Sequence, residues 1–531
     1  MSELSLQGFL VECEREQLQR VQAIQPDGAL LGGVAGDPHI RFVSANLADW
    51  IGVSWEEVLG QPLTALLLDF PPLTPGTTST VTAENLMQTS TEKRLFRHLF
   101  DGAFGSLDGL LSCSENTWLL ELEPSLPVAQ QHDAYRPVPH HLYRMPYTEP
   151  DWTRQCQALA DELRAATGFD RVMIYRFRED GCGEVITESL IDHLSPYLGL
   201  RYPASDIPQI ARTLYLRNRH RQIADIAAAP VPIYNHGDAQ ADLTLSDLRA
   251  VSPVHLMYLK NMGVTASLSF SLALYGRLWG LIACHHHAPR NLPLAVRERC
   301  AEMAQVFTLA IGGYQNHRRL MEVNGSDHEI VNLLDALQDA EIGSIATPTT
   351  RPVKRSPTPS QALGRALLSL VSAEGAALVD DEQIITFGVA PTQTQIREQL
   401  EWLQTNLMDQ VFASDALSTL FPAAAEYADR ASGLLAVRVG RFTQAGKRSE
   451  RIFLWWRPEQ PRTVYWAGDP RKDVVGFDAE AQHLTPRSSF ERWVETSSRH
   501  SEPWSDSDLL RAKKFRNLVL RAVNAEVLLR G

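Results

Sequence analysis

Apolar and polar positions alternate along this chain in short segments. Ile40-Arg41-Phe42-Val43 and Trp118-Leu119-Leu120-Glu121-Leu122 read as strands, and between them a helical stretch from Ala45 sets Leu47, Trp50 and Ile51 on one face. A helix through Ala158 to Leu163 precedes Asp170 to Phe177, whose alternation predicts a half-buried strand. The most apolar run, around Leu268 to Cys284, is broken by Tyr275-Gly276-Arg277 and so predicts a hairpin of two buried strands instead of a membrane span. A helix follows from about Leu294 through Met303, Phe307 and Ile311, with Gly312-Gly313 and Asn324-Gly325 as points where it would kink or stop.

Thr347 to Pro359, rich in Thr, Pro and Arg, reads as a loop. Beyond it helix and strand alternate: Leu363 to Leu370, Ile396 to Leu407, Gly433 to Val439 and Ile452 to Trp456. An amphipathic helix, Leu509 to Leu529, comes last. The pattern predicts an α+β protein, and 531 residues suit about three domains. We place them at 1–130, 131–320 and 321–531.

Arg201-Tyr202-Pro203-Ala204-Ser205-Asp206-Ile207-Pro208 stands out locally. The two prolines remove backbone donors and push Tyr202 and Ile207 away from helix. Asp206 therefore sits on a stiff elbow ahead of a helix that Pro208 is suited to start, with Ile210 and Leu214 as its apolar stripe. Such an Asp either caps the helix or points into a cavity.

Composition narrows the classes. A hydrophobic fraction of 44% with 21% charged residues is ordinary for a soluble globular protein, and a net charge of −13 disfavours nucleic acid. The six cysteines, 13, 113, 156, 182, 284 and 300, show no CxxC pairing, which fits a reducing compartment. The start lacks a signal-peptide pattern, and we expect a cytoplasmic protein with no membrane segment. Cys284-His285-His286-His287 does not make a zinc site, because strand alternation lets at most His285 and His287 converge and no acidic partner accompanies them.

Leu248-Arg249-Ala250-Val251-Ser252-Pro253-Val254-His255-Leu256-Met257-Tyr258-Leu259-Lys260-Asn261-Met262-Gly263 and Trp279-Gly280-Leu281-Ile282-Ala283-Cys284-His285-His286, together with the Asp206 elbow, closely resemble the chromophore-binding GAF domain of phytochromes. Pro486-Arg487-Ser488-Ser489-Phe490-Glu491-Arg492-Trp493 resembles the tip of the PHY-domain tongue. The resemblance covers almost the whole chain. It implies three mixed domains (PAS, GAF, PHY) with antiparallel sheets and flanking helices, a long helix between GAF and PHY, and a tongue at about 455–505. It further implies a red/far-red photoreceptor in which covalently held biliverdin IXα, a linear tetrapyrrole, isomerises between 15Z and 15E.

The roles carried over follow the matched positions. Bacterial phytochromes attach biliverdin through a cysteine where this chain has Cys13. Taken alone, Cys13 would read as an ordinary surface thiol, with flanking glutamates working against its activation. Val254 and Leu256 flank His255, so the second anchor of plant relatives is missing. Arg221 and Arg249 would take one propionate, and Ser267 and Ser269, two apart on a strand, the other. Without the family, Arg217, Arg219, His220 and Arg221 read as a solvated helix face. His255 would lie by the inner pyrrole nitrogens and His285 at the D-ring carbonyl. Tyr175, Tyr202 and Tyr258 would cage the D-ring, and Ile207, Pro208 and Tyr215 match further positions lining the chromophore. Asp206 would hold the pyrroles by its carbonyl and meet the tongue, whose switch positions are Trp466, Pro486, Arg487, Ser489 and Phe490.

The arm departs from the family at Gln17 to Gln22, where Pro-Ile-His-Ile-Pro-Gly is usual, and at Asp27, where His is usual. No kinase, cyclase or receiver pattern follows the last helix. Either this is a sensory module from a longer receptor, whose output could be a sensor histidine kinase or similar, or the receptor has no enzymatic output; we expect a homodimer through the long helices with a downstream signalling partner. Two rival readings are a bilin-free GAF-type sensor of a small ligand and a helical dimerisation module. Both predict a colourless protein.

Overall fold

The computed structural model describes residues 17–67, 93–102, 105–134, 136–238, 240–343, 359–380, 383–406, 410–442, 448–470, 476–478, 483–485 and 489–530. Cys13, Pro486, Arg487 and most of the Thr347–Pro359 loop lie outside them. The chain forms two compact bodies, residues 1–314 with 465–493, and residues 315–464 with 494–531.

The first body holds two antiparallel sheets. One has the order Ala23–Ile24, Val231–Asn235, Phe42–Ser44, Ala29–Val34, Thr117–Pro124, Gly105–Cys113, Arg94–Gly102. Its strands alternate as the sequence predicts, and Leu31, Val43, Trp118, Leu120 and Leu122 form its core with Leu47 from the short helix Leu47–Ile51. The opposite face is buried as well. Leu30, Phe42 and Leu119 pack against Ile24, Ile233, Ala241, Leu243 and Leu248, so a loop from much later in the chain covers it. The arm enters this loop. Ala23 and Ile24 pair with Pro232 and Val231 on one side, while on the other Gln25 N–H donates to Leu248 O (2.7 Å) and Ala250 N–H to Ala23 O (3.0 Å). Gln22 ties the arm to this loop through its amide: Nε2 donates to Ala241 O (3.1 Å) and Oε1 accepts from Asn235 (3.1 Å).

The second sheet runs His220–Ile223, Ala266–Leu274, Arg277–His286, Arg171–Phe177, Gly183–Leu190, Arg201–Tyr202, and Trp466 joins its edge in parallel against Arg201. The helix Glu149–Thr167 starts at a capping box in which Asp151 N–H donates to Thr148 Oγ1 and Thr148 N–H donates back to Asp151. Its Cys156, Leu159 and Leu163 pack with Val172, Ile174, Leu268, Phe270 and Ile282 on one face of the sheet, where Met303, Phe307 and Ile311 join them. Residues one step out of phase, Met173, Tyr175, Ser267, Ser269, Leu281, Ala283 and His285, turn to the other face and line a cavity.

The long helix is a single element, Leu294–Gly343, of 50 residues. The expected breaks at Gly312-Gly313 and Asn324-Gly325 do not occur. Gly313 is used for close approach, since a Cβ there would fall 2.1 Å from Met145 Cε. The predicted basic helix face is also corrected. The helix Gln209–Arg217 ends before Arg219, and His220–Ile223 is a strand in which His220 is buried beside Glu298 (3.0 Å).

The second body has the antiparallel order Gln383–Gly388, Gly375–Asp380, Arg448–Arg457, Gly433–Phe442, Val411–Ser414. The helices Pro359–Leu370 and Asp506–Arg530 supply Leu363, Leu367 and Phe515 to one face, with Phe453 and Trp455. The helix Gln393–Asn406 supplies Ile396 and Leu400 to the other, with Tyr427 and Trp456. Gln399, fully buried there, accepts from Trp456 Nε1 and donates to Tyr427 Oη, each at 3.0 Å. Among the described residues no helix is long and apolar enough to cross a membrane.

Candidate functional site

The cavity of about 250 Å³ lies in the first body. Its entry elbow forms as the prolines dictate. Ala204–Asp206 makes one 3-10 turn, Pro208 is extended, and the helix Gln209–Arg217 starts directly after it without a side-chain cap. Asp206 is therefore not the helix cap. Its Oδ2 accepts from Tyr258 Oη at 2.8 Å. Arg212, which the sequence reading missed, holds the elbow from behind. Its guanidinium donates to Ile207 O (2.8 Å), Gly181 O (2.8 Å) and Ala204 O (3.2 Å) while covering the Phe177 ring at 4.2 Å.

One end of the cavity is cationic. Arg221 donates Nη1 to Asp247 O (2.7 Å) and Nη2 to the carbonyls of Arg249 and Ala250. Arg249, buried, donates to Leu243 O at 3.1 Å. Among the described residues neither guanidinium forms an ion pair. Two such cations held by neutral carbonyls favour an anionic ligand. Burial and then the neighbouring Arg249 push Arg221 down to about 9. Ser267 and Ser269 face the same space, and Ser269 Oγ donates to Tyr215 Oη at 3.2 Å.

The other end is aromatic. Tyr175 and Tyr202 meet edge to face at 5.8 Å, and Tyr258 meets Phe490 in the same way at 5.0 Å. Ile207, Met262, Tyr465 and the buried Ala467 pack with them. Gly183 is required here, because a Cβ would sit 1.7 Å from Tyr175 Cζ. Trp466 contributes its backbone pairing to Arg201, and Ser489 is exposed.

Two histidines lie on the cavity wall. The helix Pro253–Asn261 sets His255 one turn from Tyr258, their rings 14° from parallel and 6.1 Å apart. His285 comes from the strand Arg277–His286, and its buried Nδ1 has no partner among the described residues. Burial and the Arg221 cation push His255 down to about 4; burial and the Arg171 cation push His285 down to about 3. Both are neutral at pH 7 and can donate or accept a hydrogen bond.

Thus Tyr175, Tyr202, Asp206, Ile207, Pro208, Tyr215, Arg221, Arg249, His255, Tyr258, Ser267, Ser269 and His285 share one wall, and Leu18 from the arm joins them. The triple histidine needs a correction. His286 and His287 both reach an acid, Asp170, through Nδ1 at 3.0 and 2.8 Å, because the strand ends at His286 and alternation lapses there.

The chain matches the PAS fold family over residues 13–125, the GAF domain family over 151–313 and the phytochrome region family over 359–527. It is 33% identical to cyanobacterial phytochrome B of a Nostoc species, covering 97% of this chain and 66% of the relative. It is 34% identical to the phytochrome-like protein Cph1 of a Synechocystis species, covering 96% and 67%. The chain thus spans about two thirds of the length of these relatives. The crystal structure of a bacteriophytochrome from R. palustris superposes with a TM-score of 0.75 at 30% identity, covering 97% of this chain and 99% of that one. A PAS, GAF and PHY series, a cavity with one cationic and one aromatic end, and these likenesses place this chain in the phytochrome family of light photoreceptors.

Proposed function

We propose that this chain is a red/far-red photosensory module that binds biliverdin IXα covalently through Cys13. The observation that carries the reading is the pair of guanidiniums, Arg249 buried and Arg221 half-buried, facing a cavity whose far end is aromatic, which suits a long, flat, dianionic ligand. When bound, the bilin would supply red-light absorption and the isomerising C15=C16 bond. Arg221 and Arg249 would hold one propionate and Ser267 and Ser269 the other. Neutral His255 and the Asp206 carbonyl would accept from pyrrole N–H groups, and neutral His285 would donate to the D-ring carbonyl. Tyr175, Tyr202 and Tyr258 would close around that ring.

Cysteine chemistry favours Cys13 as the anchor. The nucleophile is a thiolate. Burial pushes Cys156 and Cys300 up to about 12 and Cys182 to about 11, and raises Cys113 and Cys284. None of these five lines the cavity. We expect the cysteine variant Cys13→Ser to lose zinc-enhanced bilin fluorescence on a denaturing gel while still binding biliverdin reversibly. A labelled band surviving in it would move the anchor.

The switch would run through Asp206. Arg487 would pair with its carboxylate in one state and Ser489 replace Arg487 in the other, with the long helices relaying the change across a homodimer to an output partner. Arg487→Ala should keep the red-absorbing spectrum and blunt the far-red state, and Asp206→Ala should be worse. The deciding measurement is the absorption spectrum of protein made with a heme oxygenase, before and after red light. A colourless product would sink the photoreceptor reading and return the cavity to a bilin-free sensor.

A further inference from the structure

Glu121 lies in the strand Thr117–Pro124 of the first sheet, fully buried, on the face opposite Leu120 and Leu122. A carboxylate in that position is costly unless something fixes it there. What it meets is the turn Ser246–Leu248, more than a hundred residues away. Ser246 Oγ–H donates to Glu121 Oε1 (2.5 Å), Leu248 N–H to the same oxygen (2.8 Å) and Asp247 N–H to Oε2 (3.0 Å). Lys93, just before the strand Arg94–Gly102 two strands away in the same sheet, neutralises Asp247. The turn then presents its carbonyls in the opposite direction. Asp247 O accepts from Arg221, as do the carbonyls of Arg249 and Ala250. Main-chain oxygens thus aim the guanidinium at the cavity, and the same turn leads into Arg249.

We propose that Glu121 is the positioning residue of the anion-binding end of the cavity, acting through the Ser246–Ala250 turn to fix Arg221 and Arg249. This rests on the biliverdin reading above. Three donors on one buried carboxylate define the turn to a degree that apolar packing alone does not, and each carbonyl that holds Arg221 belongs to a residue within three positions of a Glu121 contact. Glu121 itself does not line the cavity, so its effect reaches the ligand through the arginines alone.

The test compares biliverdin with biliverdin dimethyl ester, whose propionates carry no charge, by absorbance titration of Cys13→Ser protein, where binding is reversible. The parent should prefer the free acid. Adding Glu121→Leu should weaken free-acid binding about tenfold, the size of one lost hydrogen bond, and leave the ester within about twofold. Glu121→Gln keeps one acceptor oxygen and should fall between. Equal losses for acid and ester would overturn the proposal, since they would mark general damage to the fold. So would an unchanged acid-to-ester ratio in Glu121→Gln, which decides the matter if the Leu variant does not fold. A parent without preference for the acid would instead bring down the propionate reading itself.

Discussion

The two ends of the cavity are built from different materials. At the cationic end, Arg221 is held by carbonyl oxygens of the turn that Glu121 bonds, and Arg249 by Leu243 O, so the geometry is set by hydrogen bonds with directional demands. At the aromatic end, Tyr175 meets Tyr202 and Tyr258 meets Phe490 edge to face, and Tyr258 also bonds Asp206. Ring contacts of this kind contribute about 0.5–1.5 kcal/mol each and tolerate rotation. One end is suited to hold a ligand still, the other to let part of it turn.

The sharpest way to break this contrast is at the cationic end. Arg221→Ala combined with Arg249→Ala should weaken biliverdin on the order of a thousandfold, since each removes a charge-assisted contact of about 1.5–3 kcal/mol. Titration by absorbance checks this, and Arg249→Lys should recover only part, lacking the planar fork.

Next comes pH. His255 and His285 are depressed from an ordinary value near 6.5 to about 4 and about 3. The unfolded chain therefore takes up these protons first as pH falls. The apoprotein loses stability below about pH 6.5, with the loss completed near pH 4 for His255 and near pH 3 for His285. At pH 5 each costs about 2 kcal/mol relative to pH 7. Urea midpoints at both pH values should show the slope, and His255→Gln or His285→Gln should each remove about half of it. An unchanged slope in both would mean that these rings are not buried neutral.

Smaller effects belong to single polar ties. Tyr258→Phe deletes the bond to Asp206 and should lower unfolding stability by about 1.5–2 kcal/mol, measured by chemical denaturation. Ser269→Ala should weaken biliverdin by about 1 kcal/mol or less, a few-fold change in titration.

The sequence revealed what is local. Prolines bracketing Asp206 define the elbow within eight residues, and period-two alternation places Met173 with Tyr175 and Ser267 with Ser269 on one face. It hid what depends on distance. Arg212 reads as any helix residue, yet it braces the elbow through carbonyls of Gly181 and Ala204. Glu121 reads as the outward position of a half-exposed strand, because nothing nearby tells that residues 241–248 will cover that face. The helix stop after Arg217 carries no Gly or Pro; there the Asn218 amide donates to Leu214 O and Thr244 O (3.0 and 2.8 Å), and the second of these comes from a remote loop.

The arm bonded on both sides has a consequence for how the protein is made. Gln22 is synthesised well before its partner Ala241, which lies 219 positions later. At about 5–20 residues per second, the arm waits roughly 10 to 40 s before its second wall exists. The segment Gln22 to Gln25 is thus secured only once residues 231–250 have been made, so this sheet cannot close in the order of synthesis. Chaperone binding to the nascent arm, or a rare-codon pause placed just before residue 250, would act directly on the yield of native protein.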